Sequence, residues 1–297
     1  LQLKELSHAP ICNNCFKVSQ EIVTFLNDDI LIQQLYDLSK QFVGADLVIL
    51  DLSAFPVFGI LMAKKGCKVH CLMYNDADLE FLNYVCQKNL IIDNVDVLSD
   101  DAYNSLLSMA NIYDIIYIDA VGPNGILNDK ILGKYSEFKR LLKHSGTILP
   151  NEIVLNLQIV NSNYLDKCWK VDDANSFGFK IAEQINEYAV AELWELDYKS
   201  TPHEILSESI ALWNIIQDES EKENTIEIIV NKNGVAHGVL YWFEINLNNS
   251  QPFDTRRSTY YKIASFLFTS PKYVTQDCIL RLQTKQHRGL LKIDCVK

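Results

Sequence analysis

Positive charge is what this sequence has least of: 27 Lys and Arg stand against 38 Asp and Glu, with 6 His, for a formal net charge of −11 and a pI near 5.0. Proteins that hold a phosphate backbone concentrate Lys and Arg on one face, so this balance argues against nucleic acid as the main partner. An acidic surface suits basic proteins, and it is also a common route to solubility. No apolar run reaches the roughly 18 residues of a membrane-spanning helix, and no signal peptide is read, so no membrane partner is expected. Glycine and proline are sparse, 11 and 7 in 297 residues, and 48% of the chain is hydrophobic. Those proportions describe an ordinary globular protein with a sizeable core, as one large domain or two. The first residue is Leu1 rather than methionine, from which we expect a piece of a longer chain.

Eight cysteines, at 12, 15, 67, 71, 86, 168, 278 and 295, lie in apolar segments. That usage fits a reduced intracellular protein, cytoplasmic or nuclear, with small hydrophobes in its core and no disulfides. One spacing stands out. Cys12 and Cys15 form half of a possible zinc site, with Cys67, His70 and Cys71 as conceivable further ligands. Residues 67 to 71 read as a strand, where neighbouring side chains alternate between faces, so their convergence on one ion is awkward. No metal is expected, and Cys12 and Cys15 remain the weak candidates.

The first half alternates strand and helix. Residues 17–42 place Ile22, Val23, Leu26, Ile30, Leu35 and Leu38 at helical intervals, with a break and fresh N-cap at Asn27 to Asp29. Strands follow at 47–52, 68–73, 95–98, 113–118 and 146–149, with helices at 58–65, 76–88, 101–110 and 129–143 between them. Such alternation implies a parallel sheet with right-handed crossovers. After Pro150 the segments become short, β-branched or aromatic, at 153–160, 211–218, 225–231, 239–247, 261–268 and 278–283, and describe an antiparallel sandwich or barrel. A long insert, 164–208, separates the first two; its core EQINEYAVAELWEL is read as helical. We therefore expect N-terminal helices at 1–45, an α/β domain at 46–150 and an antiparallel barrel at 151–297.

The stretch from Leu50 to Gly66 has the frame of a nucleotide-binding strand, turn and helix, yet lacks the glycines that let backbone N–H groups approach a cofactor. The acidic residue of the strand is Asp51. The turn carries Ser53, Phe55, Pro56 and Val57, whose side chains fill the space a cofactor needs.

A five-strand nucleotide-binding sheet joined through a proline to an antiparallel barrel resembles the protein arginine methyltransferases. FLNDDILIQQLY (25–36) resembles that family's second N-terminal helix, and LLKHSGTILPNE (141–152) its fifth strand with the joining proline. The run from Trp169 to Phe179 resembles the stretch after its first barrel strand, and HGVLYWFEINL (237–247) its His-Gly and Trp-Phe-acid strand. The resemblance covers nearly the whole chain. It implies a Rossmann-like S-adenosylmethionine domain followed by a β-barrel carrying a dimerisation arm.

The same comparison implies a stripped site. The family's tyrosine-rich motif finds only Cys15 and Phe16. The arginine that meets the cofactor carboxylate is replaced by Leu31, and the acid that binds the ribose by Tyr74 and Asn75. Of the two glutamates that hold a guanidinium, the first is Asp119 and the second is Asn128 or Asp129. The Thr-His-Trp segment becomes Thr259, Tyr260 and Tyr261, without an imidazole. No bound cofactor is expected at Leu31, Asp51, Ser53, Phe55, Val57, Tyr74 or Asn75, and no catalysis at Asp119, Asp129 or Tyr260. The family contains tandem members in which an active module precedes a degenerate one, and the chain resembles such a second module. It is more like that of the member with tetratricopeptide repeats upstream than that of the other. Two alternatives stand beside this reading: an active arginine methyltransferase with an unusual pocket, and an acidic module that recruits an Arg-rich protein. Arg256 and Arg257 beside Asp254 read as a solvated turn, and Trp169, Trp194, Trp213 and Trp242 as core or interface aromatics.

Overall fold

The computed structural model describes residues 18–44, 46–73, 76–169, 171–175, 178–187, 193–196, 201–215, 222–248, 251–287 and 290–296. Two short helices open it, α1 (Gln20–Leu26) and α2 (Asp29–Gln41), each started by a side-chain cap. Ser19 Oγ accepts from the Ile22 N–H at 3.3 Å and Asp28 Oδ1 from the Leu31 N–H at 3.0 Å, satisfying first-turn donors. Phe25, Leu31, Leu35 and Leu38 are buried, whereas Val23, Leu26 and Ile30 of the same periodic pattern face outward.

Next come β1 (Val48–Leu52), α3 (Val57–Ala63), β2 (Lys68–Leu72), α4 (Asp76–Lys88), β3 (Val95–Leu98), α5 (Asp100–Leu106), β4 (Tyr113–Ile118), α6 (Asp129–Leu132), α7 (Tyr135–Leu141) and β5 (Leu142–Leu149). The five strands form one parallel sheet in the order β3-β2-β1-β4-β5. The expected single helix over 129–143 is instead two, because the chain turns at Gly133 and Lys134, and β5 begins four residues earlier than its pattern announced. In a sheet of this order the direction of progression reverses between β1 and β4, and the crevice beyond their C-terminal ends is where such folds take ligands.

A cis Leu149–Pro150 bond leads into the antiparallel half. It comprises β6 (Glu152–Asn161), α8 (Asn163–Trp169), α9 (Ala182–Glu187), β7 (Leu193–Leu196), β8 (Glu204–Ile205), β9 (Ile210–Asn214), β10 (Lys222–Ile229), β11 (Gly234–Asn246), β12 (Phe253–Asp254), β13 (Ile263–Val274), β14 (Ile279–His287) and β15 (Leu290–Cys295). Seven strands form a sheet running β7-β13-β11-β6-β8, with β12 on β11 and β9 on β6, and β10-β14-β15 form a second. The fold is thus a Rossmann-like parallel sheet with helices, followed by antiparallel sheets. The insert is only partly helical: 182–187 is α9, but residues 193–196 pair as a strand with β13, Leu196 opposite Ile263. The strand at 290–295, which the sequence pattern did not announce, pairs with β14. Among the described residues no helix is long and apolar enough to cross a membrane.

Candidate functional site

Asp51 is fully buried near the end of β1 and is held by its own turn. Its Oδ1 accepts from the Ser53 N–H at 3.0 Å and the Ser53 hydroxyl at 2.6 Å, and its Oδ2 from the Gly59 N–H at 2.8 Å. Burial outweighs those bonds and pushes the carboxyl up to about 6. The first turn of α3 thus spends an N–H on a protein carboxylate.

Ser53 is buried, and Phe55 is 2% exposed with its ring 5.4 Å from that of Phe81 on α4. Val57 opens α3 half-buried, and its N–H returns to the Phe55 carbonyl at 2.8 Å. Phe58 packs beneath, with its ring 5.5 Å from Tyr117 of β4. The bend between β1 and α3 is therefore filled by hydrocarbon.

Beyond β1 and β4 lies a cleft of about 210 Å³, lined by Ser19, Glu21 and Ile22 of the α1 region, Ala54 after β1, Met73 and Asp78 beside β2 and α4, and Asp119 and Asn128 after β4. Asp119 is half-buried at the mouth of β4. Desolvation, assisted by the nearby charges of Asp51 and Glu21, pushes it up to about 7, against the Tyr261 hydroxyl bond at 3.1 Å that favours its charged form. Asn128 lies across the loop from it but is used as a cap. Its Oδ1 accepts from the Ile131 N–H at 3.3 Å, and its Nδ2 donates to the Asp119 carbonyl at 3.2 Å. Asp129 is exposed in the first turn of α6 and does not line the cleft.

A second cleft, of about 320 Å³, adjoins the first through Glu21 and Pro123 and is bounded by Thr24, Asn124, Thr259, Tyr260 and Lys262. Tyr260 and Tyr261 are both buried, with rings 4.9 Å apart. Burial raises both phenols far above their ordinary range, so they remain protonated donors. The Tyr260 hydroxyl donates to Glu21 at 3.2 Å and that of Tyr261 to Asp119.

The cap expected at Asn27 to Asp29 is Asp28, and what sequence reading missed is its long-range role. Its Oδ2 accepts from the Ser258 hydroxyl, from the Thr259 N–H at 2.9 Å and from the Tyr260 N–H at 3.1 Å, while its Oδ1 caps α2. The only local sign of it is an N-cap Asp before a helical pattern. Leu31, three residues on, is buried and offers no charge. The α1 end is fastened as well, the Ser19 N–H donating to Asp78 Oδ1 at 3.2 Å.

Tyr74, Asn75, Cys12, Cys15 and Phe16 lie outside the described residues. Cys67 and Cys71 are buried, whereas His70 is half-buried and bonds the Tyr113 hydroxyl through Nδ1 at 2.7 Å. Among the described residues no three His, Cys, Asp or Glu side chains form a group that could hold a metal. Arg256 is not simply solvated: it clamps Asp254 and lies 4.1 Å above the ring of buried Trp242.

No protein-family model matches the chain. In sequence it is similar to protein arginine N-methyltransferase 9: to the mouse protein at 25% identity over 189 residues, 61% of this chain and 22% of that protein. The frog Xenopus laevis protein matches at 22% over 205 residues, 66% of this chain and 25% of that protein. The chain therefore spans about a quarter or less of the length of these relatives. In fold it is similar to a chain of the Trypanosoma brucei PRMT1 enzyme-prozyme heterotetrameric complex with AdoHcy, at TM-score 0.68 and 13% identity, covering 91% of each chain. Arabidopsis thaliana protein arginine methyltransferase 10 gives TM-score 0.65 at 13% identity, covering 93% of this chain and 97% of that one. The resemblance to member nine thus holds in sequence, and the resemblance to protein arginine methyltransferases in fold as well.

Proposed function

We propose that this chain is a catalytically degenerate methyltransferase-like module of a larger protein arginine N-methyltransferase, which supports an active module of the same parent by packing against it as an internal imitation of a dimer. The parent transfers methyl groups from S-adenosylmethionine to protein arginine, and the cofactor serves the active module only. The reading includes N-terminal helices at 1–45, the degenerate domain at 46–150 and a barrel at 151–297 with its arm near 164–208. The free, buried Cys67, Cys71 and Cys86 accord with a reducing compartment, cytoplasm or nucleus.

The observation that carries it is the filled bend: Phe55 packed on Phe81, where backbone should lie bare. The residues present do not fit S-adenosylmethionine. Phe55 closes the bend itself, and what space remains nearby is the cleft of about 210 Å³ and its neighbour of about 320 Å³. Among the described residues lining the cleft of about 210 Å³, Glu21, Asp78 and Asp119 are acidic and none is basic, so no side chain there is available to pair with a methionine carboxylate. Leu31 supplies no cation, and Asn128 spends its amide on capping. The packing role is supported by apolar side chains at two places, Val23, Leu26 and Ile30 on the N-terminal helices and Phe179 (70% exposed), Ile181 and Ile185 on the arm, which a partner module would cover. The Trypanosoma neighbour, which pairs an enzyme with a prozyme, is a precedent for such an arrangement.

Calorimetric titration of this chain with S-adenosylmethionine tests the first part. No binding tighter than millimolar is expected, and micromolar binding overturns it in favour of an active enzyme with an unusual pocket. Deleting residues 1–297 from the parent tests the second: arginine methylation should vanish with every residue of the active module intact, and retained activity defeats the packing role. The acidic lining of the cleft favours a second reading, recruitment of an Arg-rich protein. Charge reversal at Asp100, Asp101 and Asp119 should then weaken substrate binding and leave module pairing unchanged.

A further inference from the structure

The arm near 164–208 leaves the seven-stranded sheet after Asn161, the last residue of β6, and returns to it at β8, where Glu204 stands opposite Asn161 and Ile205 opposite Val160. Ser162 opens the outgoing leg and is 3% exposed. Three bonds meet on it. Its N–H donates to His237 Nδ1 of β11 at 3.1 Å, its hydroxyl donates to the Pro202 carbonyl of the returning leg at 2.7 Å, and the same oxygen accepts from the Leu165 N–H of α8 at 3.3 Å. The sheet, both legs of the arm and its first helix are thus joined at one buried residue. Leu165 belongs to one apolar cluster with Val160, Leu240 and Trp242 of the sheet, and Ile205 packs against that cluster. His237 is itself 5% exposed and lines neither cleft.

Strand geometry accounts for a histidine at this point. The ladder between β6 and β11 ends with Val160 opposite Gly238, and the pairing of β11 with β13 shifts register between Ala236 and Gly238, so His237 stands beyond one ladder and at the irregularity of the other. Irregularities of this kind re-aim a side chain. A buried backbone N–H requires an acceptor, and past the end of the ladder Ser162 takes the imidazole nitrogen. A ring nitrogen accepts only when it carries no proton, and a histidinium carries one on each, so donor would face donor. We infer that the arm is mounted on a fixed joint rather than a hinge, with His237 as its positioning residue, the ring neutral with its proton on Nε2 and Nδ1 holding the Ser162 N–H. The joint is made within this chain, whatever surface the arm meets.

The experiment uses the full chain labelled with ¹⁵N, in which six histidine rings are observed. The His237 ring signals, identified by their loss in His237→Phe, should show an unprotonated nitrogen at Nδ1 and a protonated one at Nε2 at neutral pH. Hydrogen exchange should find the Ser162 amide protected. In His237→Phe its exchange should quicken about tenfold or more, as for a buried donor left without an acceptor, while amides of the parallel sheet keep their rates. His237→Asn, whose amide oxygen takes the place of Nδ1, should restore the protection. A proton on Nδ1 in the unsubstituted chain overturns the inference, and so does a Ser162 amide whose exchange is unchanged in His237→Phe. Equal loss of protection in His237→Asn and His237→Phe overturns it as well, because the ring would then matter only as packing. If His237→Phe does not fold, the ring signals are identified with His237→Asn and the state of Nδ1 decides alone.

Discussion

The carboxylate of Asp28 receives the hydroxyl of Ser258 across 230 residues of sequence. One acidic side chain thereby caps α2 and gathers the loop that carries Tyr260 and Tyr261, so the position of both phenols over the cleft depends on the break between the two N-terminal helices. Replacing Asp28 by Ala should remove a cap, worth about 1 kcal/mol, and strand buried donors at about 1–3 kcal/mol each. Urea unfolding should register a loss of about 3 kcal/mol or more, and a change below about 0.5 kcal/mol would show the link to be idle.

The pH dependence follows from Asp51 and Asp119. Both are raised above the ordinary carboxylate value, to about 6 and about 7, so between pH 4 and 7 the native state binds more protons than the unfolded chain. Stability contributed by these groups is therefore fully present below about pH 4 and is lost as the pH rises to about 7. For Asp51 the loss is about 3 kcal/mol. Asp51→Asn should flatten the slope in that window, and an unchanged slope would place the proton elsewhere.

Phe55→Ala should cost about 3–5 kcal/mol, as for a buried aromatic in a closed core, because the ring packs on Phe81. Thermal or urea unfolding reads it. A loss below about 1 kcal/mol would mean that the bend is loosely filled and has room to spare.

Gly125 has φ +75, and a Cβ there would lie 2.1 Å from the Lys262 carbonyl oxygen, whereas Gly178, with φ +87, has nothing within 4 Å of such a Cβ. Both positions carry the left-handed penalty of about 1–2 kcal/mol when replaced by Ala. Gly125→Ala should therefore destabilise clearly more than Gly178→Ala, the difference reporting contact between the loop after β4 and the start of β13. Equal losses would remove that contact from the account.

Much of the architecture is legible because it is periodic. The alternation of apolar strands and amphipathic helices from Val48 to Leu149 needs no tertiary information, and the filled turn at Ser53, Phe55 and Val57 is a matter of residue size. The split of 129–143 was signalled only by Gly133, which a continuous helical pattern masks, and the strand at 193–196 belongs to a segment whose composition also suits a helix. What sequence could not supply is the long-range wiring. Asp28 reads as an ordinary cap, and nothing near it announces three donors from Ser258, Thr259 and Tyr260. Asn128 and Asp129 were interchangeable as neighbours of Asp119 until the helix start assigned one to the cleft and the other to the surface. Arg256 looked solvated because its aromatic neighbour, Trp242, is fourteen positions away, on β11.

The Tyr261 to Asp119 bond, the Lys262 N–H on the Pro123 carbonyl at 2.8 Å and the Asn248 to Gln41 contact at 3.1 Å stitch the antiparallel sheets to the parallel one and to α2. Fastened at so many points, the helical lead and the two sheet systems have little freedom to melt apart, and heating should give one cooperative calorimetric transition whose van't Hoff and measured enthalpies agree.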